Sequence, residues 1–197
     1  MTSDTEKLGG RLALLDPVAL SATQKEIYDR VDGSLGALAN RIHVQSKTDD
    51  GRLIGPFNPM IVSPAISSGF LDLLDAEGRY TSLGERVRQL VILAVGAVWK
   101  SDYELYFHSA AARKAGIPES AIRTLAAGGL PDDLSEQEKV AQRYARQLSA
   151  EHRVDPDLYS AAVQAFGEQG VADLTYLIGI YHLTCALLNS FDVPAPE

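Results

Sequence analysis

The sequence predicts an all-α protein, a single-domain bundle of about eight helices. Apolar residues recur every three or four positions in most segments, and no long stretch alternates with the period of two of a half-buried strand. Nearly every sequence pattern that marks the start of a secondary-structure element is typical of a helix. Motifs of the form Ser-x-x-Gln/Glu, the pattern of an N-terminal capping box, precede predicted helices at Ser21, Ser82 and Ser135. The chain has 197 residues, which is enough for one core with extensions.

The N-terminal quarter is predicted to be a helical extension, residues 1–50, in front of a main domain, residues 51–197. After a frayed start, helical spacing runs from Ser21 to about Ser46. A polar loop follows at 47–52, and segment 54–59 is too rich in proline and glycine to be expected as a helix.

In the main domain, predicted helices begin at proline and are followed by glycine. Pro64 and Pro118 open helices, whereas Gly116 and the pair Gly128-Gly129 follow helix ends. The predicted helices cover residues 64–77, 83–99, 103–115, 118–127, 136–150, 156–167 and 171–189.

Composition excludes several classes of function. The balance of 18 basic and 26 acidic residues gives a net charge of −8, with no basic stripe for nucleic acid. A single cysteine, Cys185, cannot form an internal disulfide, and the four histidines lack metal-ligand spacing, so no metal is predicted. The first ten residues lack an apolar signal core, which predicts a cytoplasmic location. Asp173 and His182 interrupt the apolar segment 171–188, which favours a buried helix over a membrane span.

The stretch Arg86–Gly116 is the centre of the functional prediction. An apolar run is followed by a polar break at residues 100–102 and then by Glu104 and His108. These two residues are four positions apart and so share one helix face. Histidine titrates near neutrality, and a carboxylate one turn away can orient it, so the pair can act as acid and base. A surface ion pair explains the same spacing, and the alanines after His108 favour burial.

Other side chains near this pair are candidates for substrate binding. Gln89 can hydrogen-bond a substrate but cannot exchange a proton, and Glu85 at the end of the Ser82 motif is explained as a capping residue. Arg86 and Lys100 are candidate anchors for a carboxylate. Tyr103 and Phe57 are candidate pocket residues, although core packing or a structural turn also explains them.

The segment RVRQLVILAVGAVWKSDYELYFHSAAARKAGI resembles the carboxymuconolactone decarboxylase and alkylhydroperoxidase D family. Gly55-Pro56-Phe57-Asn58 and the closing Leu188-Asn189 resemble its longer decarboxylase-like members, so the likeness covers roughly residues 50 to 196. The resemblance implies an all-α fold, assembly into homo-oligomers such as trimers or hexamers, and decarboxylation of a small carboxylated lactone without a cofactor.

Two departures from the family pattern bear on the mechanism. The Cys-x-x-Cys pair of the peroxidase branch falls on Ser101 and Glu104, which excludes thiol-based peroxide reduction. The family's relay glutamate falls on Gln89. The implied mechanism uses His108 as acid, Glu104 as its orienting partner, Gln89 or Tyr103 as donor to an enolate oxygen, and Arg86 or Lys100 as carboxylate anchor.

Three functions are therefore open from the sequence. The first is a cofactor-free acid/base enzyme acting on a small anionic carbonyl compound. The second is a binding or scaffold protein that keeps the fold after losing the redox and relay residues. The third, residual thiol chemistry at Cys185, requires an accessible thiol.

Overall fold

The computed structural model describes residues 7–196 and confirms the all-α class. Its helices are α1 (Ala22–Val31), α2 (Ala37–Ile42), α3 (Phe57–Val62), α4 (Pro64–Tyr80), α5 (Glu85–Trp99), α6 (Asp102–Lys114), α7 (Glu119–Ala126), α8 (Glu136–Glu151) and α9 (Pro156–Ser190). A π-helical turn, Asp32–Gly36, joins α1 to α2 as one continuous helical stretch. Counted this way the described chain has eight helical stretches and no named strand, and its one isolated bridge pairs Lys47 with Leu53.

The chain divides into two compact units. The first comprises Met1–Asp75 and Ala186–Glu197, and the second comprises Ala76–Cys185. Residue 50 lies inside the first unit, and the predicted division into residues 1–50 and 51–197 stays a prediction.

In the first unit, the segment before α1 is held by the buried side chain of Asn58. Its Oδ1 accepts a hydrogen bond from the Leu15 N–H at 3.0 Å, and its Nδ2 donates to the Ala13 carbonyl at 3.1 Å. Gly10 has a φ of +63°, and a Cβ there would lie 2.2 Å from the Phe191 carbonyl oxygen. Only glycine therefore permits the backbone to approach this closely.

Segment 54–59 differs from its prediction, because Phe57 begins the short helix α3. Pro56 is the N-cap and Pro59 lies in the first turn, where a missing N–H removes no intrahelical hydrogen bond. Phe57 itself is 4% exposed. Because proline is compatible with the first turn of a helix, the proline content of this segment does not exclude α3.

The second unit is built around α5, whose residues Leu90–Val95 are all nearly inaccessible. One side of α5 packs with α8 and α9 in a core that includes Val91, Val95 and Leu174. Another side packs with α6 and α7 through Leu90, Leu93 and their neighbours. Burying each such side chain contributes roughly 1.5–3 kcal/mol relative to leaving it exposed.

Helix termini follow most of the predicted signals. The capping boxes at Ser21 and Ser135 are both formed, and Gly116 and Gly128 have the predicted left-handed conformation. The box at Ser82 is wrong, because its hydroxyl and N–H both donate to Asp173 on α9. Glu85 is therefore free of the capping role that the sequence gave it.

Helix α9 is long and apolar enough to cross a membrane by length and composition. However, Leu174, Leu177 and Ile178 belong to the core formed with α5 and α8. The predicted gap between two helices here is a single residue, Gly167, with φ +70° and ψ 172°. The core contacts agree with the predicted buried helix.

An ion pair between Arg88 and Glu77 gives the first test of the fold. The Glu77 side chain is 3% exposed and that of Arg88 14%, with 2.5 Å between nitrogen and oxygen. Arg88→Met is expected to lower the free energy of unfolding by about 3–5 kcal/mol, since it leaves a buried carboxylate without its partner. Urea unfolding measures this change.

Two further variants make this test specific. Adding Glu77→Leu to Arg88→Met is expected to restore much of the loss, because the unpaired carboxylate is gone. Lys139→Met removes an ion pair to Glu136, whose side chain is 89% exposed, and is expected to cost less than about 1 kcal/mol. Equal losses for Arg88→Met and Lys139→Met would contradict the assignment.

Candidate active site

The candidate site lies where α5 and α6 face each other in the second unit. The polar break between them is a tight turn, with Lys100 in the left-handed conformation at the end of α5 and Ser101 as the N-cap of α6. A Cβ on Gly96 would lie 3.2 Å from the Leu105 side chain and 3.4 Å from Glu104 Cγ. The absence of a side chain at Gly96 therefore lets the first turn of α6 lie against α5.

Glu104 and His108 lie on one face of α6, as their spacing predicted, and both side chains are buried. Their side chains are 3% and 9% exposed, and Glu104 Oε1 lies 3.1 Å from His108 Nε2. This carboxyl oxygen makes no hydrogen bond to the described residues, so the two groups are close without being aligned. A surface ion pair is thus the wrong description of this pair.

Gln89 holds the imidazole from the α5 side. Its Nε2 donates to Glu85 Oε1 at 2.7 Å, so its Oε1 is the atom that faces His108 Nδ1, at 2.8 Å. An amide oxygen can only accept, and His108 Nδ1 must therefore carry the proton. In neutral His108 this leaves Nε2 as an unprotonated acceptor facing Glu104.

Burial shifts the two titrations in opposite directions. It raises the pKa of Glu104 to about 8, because the charged carboxylate is poorly solvated. It also lowers the pKa of His108 to about 3, with a further contribution from the positive charge of Arg88. At neutral pH the pair therefore carries one titratable proton, on Glu104, while His108 is neutral.

Aromatic side chains enclose the imidazole. The Tyr181 ring of α9 meets it edge-on at 5.0 Å with an interplanar angle of 88°, and Phe107 lies 5.3 Å away. Tyr103 is 1% exposed and packs on Tyr106 and Phe107. Burial raises the pKa of the Tyr103 and Tyr181 hydroxyls, so both stay protonated at neutral pH.

The residues predicted to bind a substrate carboxylate or line its pocket make other contacts in the structure. Arg86 donates from Nε to Glu138 at 2.9 Å and from Nη1 to the Gly116 carbonyl at 2.5 Å, so it ties α5 to α8 and to the turn after α6. Lys100 is exposed at the turn. Phe57 belongs to α3 in the first unit.

Two residues near His108 are not among the site residues predicted from the sequence. Arg88 has no signal beyond its position next to Gln89, and Tyr181 has none, because only tertiary packing brings α9 to α6. Residues 7–196 contain no group of three or more His, Cys, Asp or Glu side chains arranged to hold a metal ion. The Cys185 thiol is inaccessible and its pKa is raised by burial, which disfavours a reactive thiolate.

Solved structures with the same fold include proteins described as peroxidase-related. An uncharacterised peroxidase-related protein from Ralstonia eutropha, described as an alkylhydroperoxidase AhpD core, matches with a TM-score of 0.75 and 16% identity over 96% of this chain and 93% of its own. A peroxidase-related protein from Silicibacter sp. matches with a TM-score of 0.72 and 14% identity over 100% and 96% of the two chains.

A third structure is the debrominase Bmp8, in a cysteine-to-alanine variant bound to 2,3,4-tribromopyrrole. It matches with a TM-score of 0.72 and 12% identity over 95% of this chain and 94% of its own. At such low sequence identities these three structural similarities show a shared fold and nothing about function.

Comparison of the sequence with known protein families gives one match. No curated protein matches the chain significantly. The profile of the carboxymuconolactone decarboxylase family matches residues 64–147, a range that contains Gln89, Glu104 and His108. Over these residues the chain is similar to the carboxymuconolactone decarboxylase family.

Proposed function

We propose that this protein is an acid/base enzyme that decarboxylates a small carboxylated lactone or related carbonyl compound without a cofactor. The observation that carries the proposal is the buried Glu104–His108 pair, whose pKa values are shifted in opposite directions while Gln89 fixes the imidazole tautomer. Paired titratable groups held in this way are typical of acid/base sites.

The proposed step needs one proton and no redox partner. The C–C bond to the substrate carboxylate breaks, carbon dioxide leaves, and the bonding electrons move onto the conjugated carbonyl to give an enolate. The enolate carbon then takes a proton, and the electrons return from oxygen to re-form the carbonyl. Glu104 supplies this proton, since burial keeps its carboxyl group protonated at neutral pH.

His108 and Gln89 support this transfer in different ways. The unprotonated His108 Nε2 lies 3.1 Å from Glu104 Oε1, where it can accept from the protonated carboxyl group and position it, and solvent returns a proton to the carboxylate after product leaves. Gln89 is a positioning residue that keeps the imidazole in the required tautomer. The structure thus favours Glu104 as the acid and His108 as its partner, the reverse of the roles that the sequence suggested.

The proposal also includes assembly and location. We propose a cytoplasmic homo-oligomer, a trimer or hexamer, that binds no nucleic acid and no membrane. The uncharged residues Tyr176, Gly179 and Leu183 are exposed on one face of α9, which supports contact with another copy.

Activity tests the acid assignment. With carboxylated unsaturated γ-lactones as substrates and carbon dioxide release as the signal, Glu104→Gln is expected to lower kcat by about 10²–10⁴-fold. His108→Ala is expected to have a loss of similar size. Glu119→Gln, at an exposed carboxylate paired with Arg113, is the control and is expected to keep wild-type turnover. Variants of Glu104 and His108 within tenfold of the wild type would favour the scaffold function.

The pH dependence of stability tests the protonation of Glu104 without a substrate. The pKa of Glu104 in the folded protein is about 8, above the ordinary value of 4.5. Its contribution to the free energy of unfolding is therefore complete below pH 4.5 and is lost as the pH rises through 8. The pKa of His108 is lowered to about 3 in the folded protein, so its contribution to the free energy of unfolding rises with pH between 3 and 6.5. Between pH 6.5 and 8 the contribution of Glu104 is the one that changes.

We therefore expect the wild type to lose up to about 2 kcal/mol of unfolding free energy between pH 6.5 and 8, from a maximum slope of about 1.4 kcal/mol per pH unit for one proton. Glu104→Gln is expected to lack this loss. Urea unfolding at the two pH values measures it, and parallel curves for both proteins would show that Glu104 is already ionised.

Gln89 gives a spectroscopic test of the tautomer. Gln89→Glu places a carboxylate against His108 Nδ1–H and is expected to raise the pKa of His108, since the negative charge stabilises the imidazolium. Gln89→Leu removes the acceptor and is expected to leave His108 neutral with a mixture of tautomers. Imidazole ¹⁵N chemical shifts measure both effects, and an Nε2–H signal in the wild type at neutral pH would refute the assigned tautomer.

A further inference from the structure

The exposed side of α4 carries an apolar stripe. Its members follow one another at alternating intervals of three and four positions: Ile66, Gly69, Leu73, Ala76 and Tyr80. Because α4 is one helix of 17 residues, this spacing places them on a single face. All five are exposed, with values of 76% for Ile66, 42% for Leu73 and 71% for Tyr80. A spacing of about 3.5 residues is that of the seam between two helices of a coiled coil.

The packing of a single chain does not account for this stripe. The inward side of α4 is a different one, on which Phe70, Leu71 and Glu77 are 8%, 2% and 8% exposed. A Cβ on Gly69 would have no packing contact within 4 Å, so nothing in the described chain requires glycine there, although alanine is the better helix former. Large apolar side chains and an unneeded glycine on one exposed face indicate contact with a second helix.

Two copies of α4 fit together when they run antiparallel. In an antiparallel pair about a two-fold axis, the register that places Leu73 opposite Ala76 of a second copy also places Tyr80 opposite Gly69 of that copy. The axis repeats both contacts, so each large side chain meets a small one. A parallel pair would instead set each residue against its own counterpart, with a gap where glycine meets glycine.

The charges beside the stripe favour the same register. Asp72 and Arg79 lie on one flank of it, seven positions apart and so on the same side of the helix. In the antiparallel register each lies next to the other residue of the second copy, which gives two ion pairs. Arg79 makes no ion pair among residues 7–196, where its guanidinium lies 5.9 Å from the Tyr80 ring. Asp72 is paired with Arg30 and still has a side chain that is 71% exposed.

We propose that this stripe is a two-fold contact surface, at which a second copy of this chain docks through its own α4 as an antiparallel helix pair. The helices overlap over residues 69–80, a length of roughly 18 Å. So short an overlap predicts a weak contact, with dissociation in the micromolar range. A two-fold contact pairs copies, so it favours the hexamer over the trimer of the proposed assembly, and in this respect alone it rests on the proposed function.

The mass of the assembly gives the first measurement, by sedimentation equilibrium of the full chain between about 1 and 100 μM. The wild type is expected to contain an even number of copies at the top of this range. Leu73→Glu is expected to weaken pairing by at least about 100-fold, because the axis places two charges in the seam at once. Leu130→Glu is the matched control, since Leu130 is 39% exposed and lies outside α4, and it is expected to keep the wild-type mass.

A charge exchange gives the second measurement and tests the direction of the helices. Asp72→Arg and Arg79→Asp are each expected to weaken pairing by about tenfold, because each sets like charges against one another at two places. The double variant with both changes is expected to recover wild-type pairing, since the ion pairs are restored with their signs reversed. Thermal melting of each variant checks that the loss of the Arg30 contact has not unfolded the chain.

The outcomes separate this surface from the proposed function. Wild-type mass in Leu73→Glu, a wild type that is monomeric or trimeric at about 100 μM, or no recovery in the double variant would each overturn the surface. Pairing through α4 without turnover of any carboxylated lactone would support the surface and count against the decarboxylase. Turnover by a protein that does not pair would leave the decarboxylase standing and overturn the surface.

Discussion

The close approach of α5 and α6 is the constraint on which the candidate site depends. Gly96 has no side chain to separate the helices, and the turn at Lys100 and Ser101 reverses the chain within two residues. This brings Gln89 within hydrogen-bonding distance of His108, although 19 positions separate them in the chain. A Cβ at position 96 would lie 3.2 Å from Leu105 Cδ2, so even an alanine there would require a small shift of the first turn of α6.

Burial then determines the protonation states of Glu104 and His108. The same loss of solvation raises the pKa of Glu104 and lowers that of His108, so the proton resides on the carboxyl group. Gln89 cannot replace a glutamate as a proton carrier, but it determines which imidazole nitrogen is free to accept. Gln89, where the family resemblance leads one to expect a glutamate, is therefore compatible with the proposed acid/base chemistry as a positioning amide.

The Glu104 side chain is directed at His108 and does not cap its own helix. Ser101 is the N-cap of α6 but makes no side-chain capping hydrogen bond, and the Glu104 carboxyl group lies beside His108. The apolar cores that α5 forms with α7, α8 and α9 hold the helix that carries Gln89.

The sequence by itself determined the helical class, most helix ends and the Glu104–His108 pair, because each depends on residues within one or two helical turns. It misjudged Ser82, since the competing acceptor, Asp173, is 91 positions away. The prediction for α3 was also wrong, because prolines at the start of a helix remove no intrahelical hydrogen bond. Tertiary structure alone decided the burial of the pair, the imidazole tautomer, the partners of Arg86, and the nearness of Arg88 and Tyr181, because desolvation and contacts between helices depend on how distant segments pack.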